Sequence, residues 1–289
     1  MIRSIARRAS SGVQILWLGD DETHDAARVG GKAANLSRLA AEHPVPPGFA
    51  VVGDSDALGA TLAEAYAELG RCMGDPEPEV AVRSSALDED GLDASFAGMH
   101  ETYLGIVGVD ALIRAVDEAR ASAHSARALE YRRAHGLPAP TEALPVLVQA
   151  LVPADRAAVV FSANPVNGRR DEVLINASWG LGESIVGGTV TPDTYVLARP
   201  RLDVVTRRLA EKRRMTIRAA GGSEEVDVPS ILRRMASLSD EQAREAAELA
   251  VALEHSFGHP VDLELAWSSN TLHLLQARPI TTLALGEAA

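Results

Sequence analysis

The sequence predicts an α+β fold in two subdomains, and three observations carry that expectation. From about residue 13 to 140, short apolar runs alternate with helix-patterned segments. Beyond about 145 the helical pattern gives way to short β-rich runs separated by Asn, Asp, Gly and Pro. Near the C-terminus, two further runs flank Ser268-Ser269-Asn270 in the pattern of a hairpin. The expected organisation is a flexible tail at 1–12, an α/β subdomain at 13–140 and a β-rich subdomain at 141–289.

Val13 to Leu18 is a strand candidate. Gly30-Gly31-Lys32 then reads as a glycine turn opening a helix, with Ala33, Leu36, Leu39 and Ala40 on one face and the lysine in the first turn. His43 to Phe49 is rich in proline, which ends the helix and leads into a short strand near Ala50 to Val52. A helix is expected from Ser55 to Leu69, a loop over Gly74 to Glu79, a strand at Val80 to Val82 and one long helix from Asp110 to Arg133. Val146 to Val152, Ala157 to Phe161, Glu172 to Ile175 and Thr194 to Leu197 read as strands of an antiparallel sheet belonging to the second subdomain. Arg199 to Ser237 is a polar excursion with short strands. Leu238 to Phe257 returns to helix with Ser239 or Asp240 as its cap, and Val261 to Trp267 with Thr271 to Gln276 form the closing hairpin.

The chain has 289 residues, 46% hydrophobic and 24% charged, which suits a globular protein of this size. A net charge of −12 argues against a nucleic-acid surface, because duplex binding rests on clustered Lys and Arg. No stretch approaches the length of a membrane span, so no membrane partner is expected. Cys72 is the sole cysteine, which leaves no intrachain disulfide framework and suits the reducing cytoplasm. The basic, Ser-containing first residues lack the apolar core of a secretory signal and read as a frayed tail.

Several residues could carry chemistry. The Gly30-Gly31-Lys32 turn offers backbone N–H groups and an ammonium at a helix start, where the dipole favours an anion, although a glycine pair before a helix is also ordinary turn chemistry. Arg83 follows an apolar run and is joined by Ser84 and Ser85. Its guanidinium suits two-point phosphate contact, or equally a structural ion pair with Asp88, Glu89 or Asp90. In the hairpin, alternation puts Asp262 and Glu264 on one face, an oxygen-rich edge of the kind Mg²⁺ accepts when substrate phosphates complete its shell; the alternative is a plain solvated strand face. Gln276 and Arg278 could add an amide oxygen and a phosphate donor. No His-Glu-x-x-His, Cys-x-x-Cys, Gly-x-Ser-x-Gly or complete Walker pattern occurs, and the histidines are scattered.

The motifs GGKAANL, PVPPGF, VAVRSSA, DASFAGMHETYL, VLVQALV, ASWGLGE, TPDTYV and LLQARPIT run colinearly over residues 30 to 282. In that order they resemble the N-terminal ATP-grasp nucleotide-binding domain of phosphoenolpyruvate synthase, pyruvate phosphate dikinase and rifampicin phosphotransferase. The resemblance implies an ATP-grasp fold with a nucleotide cleft between its two subdomains, and ATP and Mg²⁺ as cofactors. It implies that Lys32, Arg83 and Arg278 hold the phosphates and act catalytically, and that the Ser95 to Thr102 loop, with Gly98, closes over them. It further implies that Gln149, Ala150, Leu151 and Val152 meet the adenine as a hinge edge, and that Glu264 and Gln276 hold Mg²⁺. In this family a phosphoryl-containing group passes from ATP to a histidine on a swivelling domain. No histidine here lies in such a motif, so the expected partners are separate phosphohistidine-domain and acceptor-binding chains. Two departures stand out: Ala33 replaces a frequent glycine in the lysine turn, and the interval between PPGF and VAVRSSA is short. Beside the phosphotransferase reading, a standalone ATP-dependent kinase or ligase with a small-molecule acceptor and a non-catalytic nucleotide-binding module both remain open.

Overall fold

The computed structural model describes residues 12–53, 57–85, 102–134, 143–219 and 221–280. The chain divides into two compact units, Met1–Leu151 and Val152–Ala289. Both combine antiparallel sheet with helices, the α+β class expected.

The first unit contains β1 (Gln14–Trp17), a 3₁₀ turn (Asp21–His24), α1 (Ala26–Leu39), β2 (Gly48–Val52), α2 (Leu58–Met73), β3 (Val80–Ser84), β4 (Thr102–Ile106), α3 (Val109–Ser122), α4 (Ala126–Ala134) and β5 (Val146–Ala150). The strands form one sheet in the order β1-β2-β5-β3-β4, every pair antiparallel. Alternation along these strands separates two faces. Phe49, Val51, Val80, Val82, Val146 and Val148 pack with Leu58, Leu62, Leu69, Leu112 and Val116 of α2 and α3 into the core. Ala50, Ala81, Arg83, Leu147 and Gln149 therefore point to the other face, the side on which α1 contacts β2 and β5. That alternation turns the arginine of β3 toward the lysine helix.

Four sequence expectations change here. Val146 to Ala150 joins the first unit, between β2 and β3, so the boundary falls after Leu151 and not at 140. A run that is apolar but for Gln149 announces a buried strand without naming its sheet. The helix expected over 110–133 is two helices: Ala123, His124 and Ser125 close short i to i−3 bonds, and the Ser125 hydroxyl accepts from the Ala128 N–H to start α4. Thr102–Ile106 is a strand that the small and polar residues around it concealed. The helix expected over 55–69 runs later, from Leu58 to Met73, where Gly74 ends it in the left-handed region.

The second unit contains β6 (Arg156–Phe161), β7 (Glu172–Trp179), α5 (Glu183–Val186), β8 (Asp193–Ala198), β9 (Asp203–Arg208), β10 (Arg214–Ala219), β11 (Gly222–Asp227), α6 (Asp240–Phe257), β12 (Val261–Ser268) and β13 (Thr271–Pro279). Six strands form an antiparallel sheet in the order β13-β12-β6-β7-β8-β9, and β10 pairs with β11 as a separate ribbon. Helix α6 starts at a capping box of Ser239 and Gln242 and stops at Gly258. Its buried Ala243, Ala246, Ala247 and Ala250 are small, which lets the helix lie close on Val160, Ile175, Leu197, Leu263, Leu265 and Trp267. The polar excursion is tied in by a buried ion pair: Lys212 Nζ lies 2.6 Å from Asp193 Oδ1, while Asp193 Oδ2 accepts from the Ser237 N–H and hydroxyl at 2.8 Å each. The β12–β13 turn uses Ser269 and Asn270 with positive φ, the geometry of a two-residue hairpin. Among the described residues no helix is long and apolar enough to cross a membrane.

Candidate functional site

In the first unit the lysine turn is a true interruption. Gly30 has φ 81° and ψ 165°, so helical geometry breaks there and restarts at Gly31, with Lys32 in the first turn of the restarted segment. A side chain at Gly30 is impossible, since its Cβ would lie 1.4 Å from the Ser85 carbonyl oxygen. The Ser85 hydroxyl accepts from the Ala33 N–H at 3.0 Å, and Lys32 Nζ donates to the Ser84 carbonyl at 3.3 Å. Lys32, Arg83, Ser84 and Ser85 are all buried. The end of β3 and the restarted helix are thus locked together, and two cationic side chains lie on them. Of the two serines beside Arg83, Ser85 uses its hydroxyl to cap the restarted helix.

Thr102, the last residue of the expected closing loop, opens β4 directly opposite Arg83. Ser95 and Gly98 lie outside the described residues, as do Asp88, Glu89 and Asp90. Gln149 shares the Arg83 face, opposite Ala81, and its side-chain amide donates to the Pro46 carbonyl at 3.1 Å. The Ala150 and Leu151 N–H groups donate to Pro47 and Glu79 carbonyls, each at 2.9 Å. Val152 is buried and its carbonyl accepts from the Ala154 N–H.

In the second unit the hairpin places four polar side chains on one face. Asp262 stands opposite Arg278, and Glu264 opposite Gln276, with a bulge following immediately. The opposite face, with Leu263 and Leu265, is the one α6 covers. Arg278 contacts one oxygen of Asp262 through both Nε and a terminal nitrogen, at 2.8 Å each. Asp262 and Gln276 are buried and Glu264 is half-buried. The same face continues across β6 at Val159 to Asn176 and Thr194, whose side chains lie 3.1 Å apart. Among the described residues no group of three or more His, Cys, Asp and Glu side chains gathers to hold a metal. Two carboxylates and an amide oxygen are hard donors that suit Mg²⁺ when phosphate oxygens supply the remainder.

Lys32, Arg83 and Thr102 are therefore neighbours in one unit, and Glu264, Gln276 and Arg278 in the other. The part of Asp262 is the larger surprise. Its i, i+2 spacing from Glu264 marks it in the sequence, but its grip on Arg278 depends on strand register. The Ser85 contact has no sequence signal, because its partner is 52 positions away.

Residues 55–288 match the family described as the pyruvate phosphate dikinase AMP/ATP-binding domain, and the chain belongs to that family. A probable phosphoenolpyruvate synthase of Methanocaldococcus jannaschii is 35% identical over 94% of this chain and 27% of its own length. The phosphoenolpyruvate synthase of Pyrococcus furiosus is 40% identical over 77% of this chain and 28% of its own. The prodigiosin synthesizing transferase PigC of Serratia marcescens is 34% identical over 93% of this chain and 33% of its own. The chain thus spans a quarter to a third of the length of these relatives. A D-alanine-D-alanine ligase structure from Helicobacter pylori covers 86% of this chain and 54% of its own at 14% identity and a TM-score of 0.39, too weak a likeness to carry an argument.

Proposed function

We propose that this chain is the ATP-grasp phosphotransferase module of phosphoenolpyruvate synthase or dikinase-like chemistry, passing a phosphoryl-containing group from Mg-ATP to a histidine on a separate swivelling-domain protein that carries it to an acceptor-binding chain. The observation that supports this most is the hairpin array of Asp262, Glu264, Gln276 and Arg278 in a member of an AMP/ATP-binding family. In this reading Glu264 and Gln276 hold Mg²⁺, which would draw charge from the phosphate oxygens. Lys32 and Arg83 bind ATP phosphates as a point charge and a planar fork. Asp262 orients the Arg278 guanidinium for contact with the phosphate chain. Adenine contacts at 149–152 run through groups other than the Ala150 and Leu151 N–H, which are already engaged. Ser95, Gly98 and Thr102 close over the phosphates and exclude water. A reducing, cytoplasmic setting fits the single free and exposed Cys72.

The test is the nucleotide product formed from ATP and Mg²⁺, with and without a histidine-bearing partner. Partner-dependent AMP is the expected product. ADP formed by the chain with a small acceptor would replace this reading by a kinase or ligase, and an absence of turnover under every condition would leave a binding module.

A further inference from the structure

We propose that Ser85 is a positioning residue that fixes the Lys32 helix against the Arg83 strand; this rests on the assignment of Lys32 and Arg83 to ATP phosphates. The break at Gly30 creates a new helix start inside the unit, and the first N–H groups of a helix start commonly take acceptors from outside the helix. The outer start of α1 is capped in the ordinary way, Asp25 accepting from the Ala27 N–H two residues on. At the inner start the acceptor comes from another element, the Ser85 hydroxyl on the Ala33 N–H.

Ser85 is held on its other sides as well. Its own N–H donates to the Pro145 carbonyl at 2.9 Å, and its carbonyl lies against Gly30, where any Cβ would collide. It is fully buried, so water does not compete for the hydroxyl. Lys32 is one residue before the capped Ala33, and Arg83 two residues before Ser85. The hydroxyl is therefore the short link between the two backbone segments that carry the cations. Gly30 and Ser85 work as a pair: one lacks a side chain so that the other can approach. Ser85 acts through the spacing of Lys32 and Arg83, and its hydroxyl oxygen is turned to the protein, not to a ligand.

Removing the hydroxyl leaves a buried N–H without its acceptor, and a shift of the helix start that relieves it moves Lys32 away from Arg83. Titration calorimetry of the full chain with Mg-ATP tests this on wild type, Lys32→Ala, Ser85→Ala and the double variant, with thermal melts without nucleotide as the check on folding. Ser85→Ala is expected to weaken Mg-ATP binding about tenfold, a cap's worth of free energy. The loss caused by Lys32→Ala is expected to shrink in the Ser85→Ala background, because the lysine is already misplaced there. A cap of purely structural value would lower the melting temperature, leave the affinity of the folded protein at the wild-type level and give additive effects, and that outcome overturns the inference. Ser85→Cys, nearly isosteric and a poor acceptor, takes the place of Ser85→Ala if the latter does not fold. Binding by wild type that Lys32→Ala does not weaken would instead remove the phosphate assignment on which the inference rests.

Discussion

Glu264 and Gln276 face each other directly across the β12–β13 pair, and the strand register shifts just beyond them. The pairing sets a carboxylate and an amide oxygen side by side on the face that α6 leaves uncovered, and the bulge adjusts their aim. Glu264→Ala is expected to abolish Mg²⁺-dependent ATP turnover while changing unfolding free energy by less than about 1 kcal/mol, because the side chain is only half-buried. Turnover measured across limiting Mg²⁺ checks the role, and a wild-type Mg²⁺ dependence would remove it.

Arg83 sits in a strand, buried, with Thr102 opposite. Arg83→Lys keeps the charge and loses the planar two-point contact. The expected outcome is a fall in kcat larger than the loss of nucleotide affinity. Steady-state kinetics alongside equilibrium binding separate the two, and equal losses would mean that Arg83 only binds.

Much of this was legible in the residues. Gly30, the proline run before Gly48, the Ser239 cap and the Ser269-Asn270 turn punctuate the chain through backbone chemistry that acts locally, and the hairpin face follows from period-two alternation. What stayed hidden is what depends on partners distant in sequence. Val146–Ala150 gives no hint that it inserts between β2 and β3, and Thr102–Ile106 becomes a strand because β3 offers it an edge. Asp262 gripping Arg278 and Ser85 capping Ala33 are tertiary facts of the same kind. Period and propensity carry no information on which strand or helix end will be adjacent.

Lys212 and Asp193 are both fully buried, and Asp193 accepts from Lys212, Ala210 and Ser237. Removing one charge strands the other. Lys212→Met is expected to cost about 3–5 kcal/mol of stability by urea unfolding. A cost below about 1 kcal/mol would show that the carboxylate finds water or a proton instead.

Glu254 supplies a pH dependence. Burial raises its pKa, but hydrogen bonds from Arg199 and Ser162 and the charge of Arg199 outweigh it, so the net shift is downward from 4.5. A depressed folded-state value means that the stabilisation is complete above the unfolded value and fades as pH falls through the folded one. Glu254→Gln should therefore be less stable than wild type near neutral pH, by about 1 kcal/mol, with the gap closing as pH falls through the lowered folded-state value. A gap constant with pH would show that the Arg199 contact does not depend on the carboxylate charge.

Labelling with β- or γ-labelled ATP shows which polypeptide receives the phosphoryl-containing group. The chain is incubated with Mg²⁺ and labelled nucleotide, alone and with a histidine-bearing swivelling-domain protein, and acid-labile phosphoprotein is counted on each polypeptide. Acid-labile label is expected on the partner, with little on this chain and loss of transfer in Arg83→Lys. Robust acid-labile labelling of this chain by itself would make one of its own histidines the acceptor and rule out transfer to a partner histidine.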